Sequence, residues 1–266
     1  MVVFKACFEF IYKAASAALF GILLLIAFAL TASMGSQSFG GFFRYDYLLL
    51  YALIIQSCLI YLKLESWQEA KVIALFHIMA MCMEIFLTHP QIASWQYPQP
   101  AVFKIFTVPL FAGFMYSAVG SFFARSLRLY QVSFQQLPHF YHMLALALCS
   151  YLNFMTKFFV PDIRSLLFIW SVVIFWRTKI QFRLQQSQVQ LPMLLVLLVL
   201  AFLIWIAENI STFYKIWLYP TQVDAWHMVG WAKLGSWYLL LLLSLVLVLK
   251  ILGQRSHEGT WKLKSN

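Results

Sequence analysis

The chain has 266 residues, 63% of them hydrophobic and only 11% charged, with a formal net charge of +10. A soluble domain is nearer half apolar and a quarter charged, so this composition excludes an ordinary water-soluble globule and points to an integral membrane protein. The basic excess needs no nucleic-acid partner, because most of it falls where a membrane topology would put it.

Apolar runs near the length that crosses a bilayer predict an all-α bundle of eight spans, in one membrane domain over residues 1–266. They run over 16–34, 45–62, 71–89, 104–124, 139–157, 164–180, 192–212 and 231–252. Lys5 and Lys13 precede the first run, which reads as a retained span rather than a cleaved signal. Thirteen basic residues fall in the N-terminus, the even-numbered loops and the C-terminal tail: Lys5, Lys13, Lys63, Lys71, Arg125, Arg128, Arg177, Lys179, Arg183, Lys250, Arg255, Lys262 and Lys264. Arg44, Lys104, Lys157, Arg164, Lys215 and Lys233 fall in the odd loops or span edges. By the positive-inside rule both termini are expected on the cytoplasmic side.

Span two begins at Arg44-Tyr45-Asp46. Span three carries His77 and, about four residues from its outer end, Glu84. Seven residues are close to two helical turns, so His77 and Glu84 project from one face. Ionisable groups inside a span are expensive and are functional candidates by default; the bland alternative is a polar pair that only joins helices. After the span comes Ser94-Trp95-Gln96-Tyr97-Pro98. Lys104 and Thr107-Val108-Pro109-Leu110 head span four, where Pro109 is expected to kink the helix and Gly113 and Gly120 to permit close packing. Asn153 and Lys157 end span five, and Asp162-Ile163-Arg164 opens span six. Glu208-Asn209 ends span seven, followed by Ile216-Trp217-Leu218-Tyr219-Pro220 and Asp224. Lys233 opens span eight.

These features repeat. Trp95 and Trp217 lie 122 positions apart, as do Pro98 and Pro220; Glu84 and Glu208 lie 124 apart, and Asp46 and Asp162 lie 116 apart. The pattern predicts a duplicated four-span unit, approximately 1–125 and 139–252. Four spans return the chain to its starting side, so the copies share one orientation, related by an axis along the membrane normal. The paired groups then meet at one outer-face pocket. Position 201 is alanine, so the second copy has no counterpart of His77.

Glu84 is the expected proton donor, His77 its relay and Glu208 a supporting carboxylate. Trp95, Tyr97, Trp217 and Tyr219 are either interfacial belt residues or rings that stabilise a cation. Asn209, Asp46, Arg44, Asp162, Arg164, Lys233 and Asn153 complete the expected binding set, with snorkelling as the alternative for the lysine. Only His139 and His142 have ligand-like spacing, so no metal and no other cofactor is expected. Cys7, Cys58, Cys82 and Cys149 read as small apolar fillers.

The stretches RYDYLLLY, KLESWQEAKVIALFH, SWQYP, FKIFTVPLFAGFMYSAVGSF, YLNFMTKFFVPDIR, FWRT, WIAENISTF and YPTQVDAW resemble the YoaT-like bacterial membrane family, which has no established activity. Residues 77–120, with an echo at 201–240, are also similar to carotenoid-processing membrane proteins of the small lycopene cyclase and carotenoid hydratase type. That second resemblance implies acid-catalysed, non-redox chemistry on an isoprenoid. The acidic run that follows Pro-Leu in the cyclases is absent; Phe111-Ala112-Gly113 stands there. Three readings stay open: an enzyme acting on a membrane lipid or other lipophilic substrate, a small proton-coupled transporter, and a non-catalytic assembly or sensing protein.

Overall fold

A chain with this little polar side-chain chemistry pairs its backbone groups locally, and helices do so within one segment. The computed structural model describes residues 2–184, 187–255 and 261–263. His257 and Lys264 lie outside the described residues. Nine α-helices form among those described: α1 Val2–Ala17, α2 Leu19–Leu30, α3 Arg44–Tyr61, α4 Trp67–Leu87, α5 Ala112–Leu129, α6 Phe140–Thr156, α7 Arg164–Phe175, α8 Met193–Phe213 and α9 Ala232–Leu252. Each of the eight expected spans coincides with at least part of a helix. Among the described residues, α4, α8 and α9 are long and apolar enough to cross a membrane individually, and α1 and α2 pass that test only together.

The fold is mostly helical, as expected, and among the described residues seven short strands accompany the helices: β1 Lys104–Ile105, β2 Val108–Pro109, β3 Ser133–Gln135, β4 Lys179–Leu184, β5 Ser187–Pro192, β6 Gly253–Arg255 and β7 Trp261–Leu263. Residues 104–109, expected to head span four, fold as a hairpin pairing Lys104 with Pro109 and Ile105 with Val108. Phe106 turns it with φ +52°. Pro109 therefore precedes α5 and kinks nothing. Expected span six stops at Phe175, because Ile180-Gln181-Phe182-Arg183-Leu184 and Gln188-Val189-Gln190-Leu191 each alternate apolar and polar, the period of a strand. β4 and β5 pair from Lys179–Pro192 to Leu184–Ser187. With β3, β7 and β6 they make a five-stranded sheet in the order β5-β4-β3-β7-β6.

The chain divides into two compact units. The first comprises residues 1–18, 122–204 and 231–266. In it α6 packs along α9, Ser171 and Tyr238 share a 2.7 Å hydrogen bond between α7 and α9, and the sheet gathers the loop ends. A Cβ on Gly235 would come within 2.8 Å of the Phe168 ring, so α9 needs glycine there.

The second unit comprises residues 19–121 and 205–230. Its core joins Phe20, Leu24 and Phe28 of α2 to Tyr45, Leu48 and Ala52 of α3, with Phe111 and Phe114 between them. Helix α4 starts on a reciprocal cap: the Glu69 N–H donates to Ser66 Oγ (3.2 Å), and the Ser66 N–H donates to Glu69 Oε2 (2.7 Å). Cys7, Cys58 and Cys82 are exposed free thiols, and Cys149 is a partly buried one.

Candidate functional site

The end of α4 and the end of α8 are built alike. Past α4, Ala93 takes a left-handed conformation (φ +45°), and the chain reverses so that Trp95 and Tyr97 come back over the last turn. The Ser94 N–H donates to the Leu87 carbonyl (2.9 Å) and closes that turn. Past α8, Lys215 is left-handed (φ +54°), again two residues before the tryptophan, and the Ile216 N–H donates to Ser211 O (3.0 Å). A left-handed non-glycine residue costs about 1–2 kcal/mol, so both reversals are held by what surrounds them.

The two Trp-x-Tyr-Pro segments then pair with each other. Gln96 and Leu218, the residue between Trp and Tyr in each, form an antiparallel bridge with 2.9 Å hydrogen bonds in both directions. The Trp95 and Tyr219 rings meet edge to face, 6.2 Å between centroids.

Glu84 lies under this crossing and is 1% exposed. Its Oε2 accepts from Trp95 Nε1 (2.8 Å) and the Tyr97 hydroxyl (2.9 Å), and its Oε1 accepts from the Tyr116 hydroxyl of α5 (2.8 Å). All three donors are neutral. They favour the ionised carboxylate, while burial favours the neutral acid, so the site sets two opposing effects on one proton. Glu208, 3% exposed, accepts from the Tyr219 hydroxyl at 2.5 Å. Each acid is thus tied to the tyrosine of its own Trp-x-Tyr-Pro segment.

The loop phenols are firm donors. Burial raises the Tyr97 hydroxyl well above the ordinary phenol range, and the Glu84 charge adds to this. Burial does the same for Tyr219, reinforced by Glu208 and Glu84 and opposed by a hydrogen bond from Trp217. Trp217 itself packs against the α2–α3 core, so it supports Tyr219 instead of facing Glu84.

The arrangement is anchored from α3. Arg44 is fully buried; its guanidinium donates to Phe28 O (2.7 Å), Tyr214 O (2.9 Å), Thr31 Oγ1 (3.0 Å) and, weakly, Gln99 Oε1 (3.4 Å). Phe28 and Tyr214 end α2 and α8, so the cation is compensated by the negative ends of two helices. The Tyr45 hydroxyl donates to Ile216 O (2.8 Å), directly before the second Trp-x-Tyr-Pro. Asp46 caps α3 at Phe43 N (2.9 Å) and accepts from the N–H groups of Val102 (3.0 Å) and Phe103 (2.8 Å). Arg44 and Asp46 therefore hold the frame of the site and do not face its acids.

Other expected members sit elsewhere. His77 packs its ring on Gly113 and Phe114 (4.6 Å between ring centroids), and its Nδ1 is buried without a hydrogen-bond partner. The Glu84 carboxylate takes its three hydrogen bonds from other residues. Asn209 spans Trp205 O and Val229 N, both at 2.8 Å, and fixes the 220–230 loop.

Asn153, Asp162, Arg164 and Lys233 belong to the first unit. There Asn153 Nδ2 and the Arg164 N–H each donate to Asp162 Oδ1 at 3.0 Å, and Arg164 Nε pairs with Oδ2 at 2.6 Å. Burial pushes the Asp162 carboxyl up, but these donors and the guanidinium outweigh it and hold it below the usual carboxylate range. Lys104 is exposed on its hairpin. Tyr116 and Tyr45 were not among the expected residues; a lone tyrosine in an otherwise apolar span is the signal that marks Tyr116.

Residues 6–245 match the family model described as a protein of unknown function (DUF817). The chain belongs to this family. It is also 37% identical over 217 residues to the uncharacterized protein YoaT of Bacillus subtilis (strain 168), covering 82% of this chain and 81% of that one. No solved structure matches. The region matched by the DUF817 model contains both acids, both Trp-x-Tyr-Pro segments and Tyr116, and the family description assigns them no activity.

Proposed function

We propose that the protein is a multi-pass inner-membrane enzyme that uses Glu84 as an acid on an isoprenoid-like lipid, without net redox change. The observation that carries this reading is the Glu84 carboxyl buried among Trp95, Tyr97 and Tyr116, within a crossing that also holds Glu208. The Glu84 proton adds to one carbon of a lipid double bond, and its electron pair goes to the carboxylate. The carbocation left on the other carbon is shielded by the electron-rich faces of Trp95 and the tyrosines. It is quenched by losing a proton back to a carboxylate, giving an isomer; by attack of a second double bond of the same lipid followed by loss of a proton to a carboxylate, giving a ring; or by adding water, whose extra proton goes to a carboxylate, giving an alcohol. Glu208 supplies the second negative charge. No cofactor enters this chemistry.

The bundle is read as eight spans with cytoplasmic termini, made by duplicating a four-helix unit. The matched left-handed residues, the Gln96–Leu218 bridge and the repeated acid-to-tyrosine bonds support the duplication. The pairs Arg44/Asp46 and Asp162/Arg164 have diverged in burial and partners.

The test compares membrane lipids by untargeted mass spectrometry in a deletion strain, the restored strain and a strain with Glu84→Gln at equal expression. A lipid that changes with the wild-type protein and not with Glu84→Gln supports the reading, and its mass names the reaction. Identical lipids in all three strains overturn it and leave proton-coupled transport as the leading alternative.

A further inference from the structure

Helix α4 is long and apolar enough to cross a membrane, and it ends at Leu87. The β1–β2 hairpin is tied to that end. The hydroxyl of Thr88, the C-cap of α4, donates to the Glu84 carbonyl (2.8 Å) and shares a 2.9 Å hydrogen bond with the Thr107 hydroxyl. On the way in, the Val102 and Phe103 N–H groups donate to Asp46; on the way out, Val108 is fully buried against Met81 and Ala112. The hairpin is therefore fixed level with the end of α4, beside the acid.

Its outward surface is apolar. Val102, Phe103, Ile105 and Phe106 are exposed, with Lys104 exposed among them. Phe42 stacks on Phe103, 5.9 Å between ring centroids, and Phe39, bridged to Phe42, extends the patch. Exposed apolar patches mark sites for a membrane, a ligand or a partner. At the tip, Phe106 is 80% exposed and holds φ +52°, a conformation that suits glycine. An aromatic ring kept there and turned outward is backbone strain of the kind found at functional positions. Apart from Lys104, residues 32–43 and 85–124 contain no Lys, Arg, Asp or Glu, so the patch carries one uncompensated positive charge. Rings beside a lysine match a bilayer boundary, where the rings lie at the head-group level and the ammonium reaches the phosphates.

We propose that this hairpin is a lipid-docking edge, where Phe103, Ile105 and Phe106 take the chains of a lipid from the surrounding leaflet and Lys104 takes its anionic phosphate. A protruding tip with a single cation fits chains and a phosphate better than it fits a flat protein face. Under the proposed function, the substrate lipid leaves the bilayer along this edge to reach Glu84, and that step alone rests on the reading of Glu84 as an acid.

The test is photo-crosslinking of the purified full-length protein in nanodiscs of phosphatidylcholine with a minority of phosphatidylglycerol. Benzoylphenylalanine replaces the exposed Phe106, and the adducts are identified by mass spectrometry. Lipid adducts are expected, with phosphatidylglycerol enriched about five-fold over its share of the disc, the effect of one lysine at an anionic surface. Lys104→Gln is expected to abolish the enrichment. With the probe moved to position 103, Phe106→Gly relieves the backbone and is expected to lower the total lipid yield several-fold. No lipid adduct at position 106, adducts only in proportion to the disc, or an adduct joining two chains overturns the docking. So does an enrichment that survives Lys104→Gln, or a yield unchanged by Phe106→Gly. No reaction product is read here, so a lipid that docks and stays chemically unchanged refutes the proposed reaction while leaving the docking edge in place.

Discussion

Replacing Arg44 with methionine keeps a long apolar stem and deletes the guanidinium. Three of its hydrogen bonds, to Phe28 O, Tyr214 O and Thr31 Oγ1, are 2.7–3.0 Å long; the one to Gln99, at 3.4 Å, is too long to count for much. Hydrogen bonds to a charged group contribute about 1.5–3 kcal/mol each. Against this, the guanidinium no longer has to be taken out of water, which returns several kcal/mol, and the net destabilisation expected is about 3 kcal/mol. The assay is reversible unfolding of the detergent-solubilised protein, followed by tryptophan fluorescence. Arg44→Lys keeps the charge but loses the fork that reaches several acceptors at once, so it is expected to fall between wild type and Arg44→Met. An Arg44→Met protein within about 0.5 kcal/mol of wild type, the range of a neutral surface change, would refute the claim that this knot holds α2, α3 and α8 together.

Gly113→Ala would place a Cβ 2.5 Å from His77 Nδ1; overpacking of this kind costs about 1–3 kcal/mol, and His77→Ala in the same protein is expected to recover most of it in the same unfolding assay. Lys215→Gly removes a left-handed non-glycine residue and is expected to stabilise by up to about 1 kcal/mol; a loss of stability would show that the Lys215 side chain outweighs the backbone strain. Asp162 has a depressed folded pKa, so its contribution is fully present above the unfolded carboxyl value, near 4, and is lost as the pH falls through the folded value. Asp162→Asn is therefore expected to unfold more easily than wild type at neutral pH, with the gap closing in acid. A gap that does not depend on pH would contradict this assignment.

The helices were legible because apolar runs leave the backbone little choice. The exceptions have local causes. Residues 104–109 look like the start of a span by composition, but Pro109 lacks an N–H and Phe106 turns with positive φ. Residues 179–192 hide a hairpin whose period of two is visible only when read apart from the apolar run before it. In the site, the acids and the two aromatic phrases could be found because they repeat at nearly constant offset. Their direct pairing through Gln96 and Leu218 could not, since an offset fixes correspondence and not contact. Arg44 read as a binding residue because an arginine beside an aspartate suggests an ion pair. Two of its four partners are backbone carbonyls, which leave no mark in a sequence. His77 shared a face with Glu84 by periodicity, but side chains two turns apart need not touch, and Tyr116 takes the place the histidine was expected to fill.

In the proposed reaction a proton passes between Glu84 and a carbon atom of a membrane lipid. The most direct measurement incubates the purified protein with total bacterial membrane lipid in deuterated water and looks for deuterium in carbon-bound positions by mass spectrometry. At least one lipid is expected to gain deuterium with the wild-type protein and none with Glu84→Gln. Lipids that stay unlabelled with folded wild-type protein, or that label equally with Glu84→Gln, would contradict it.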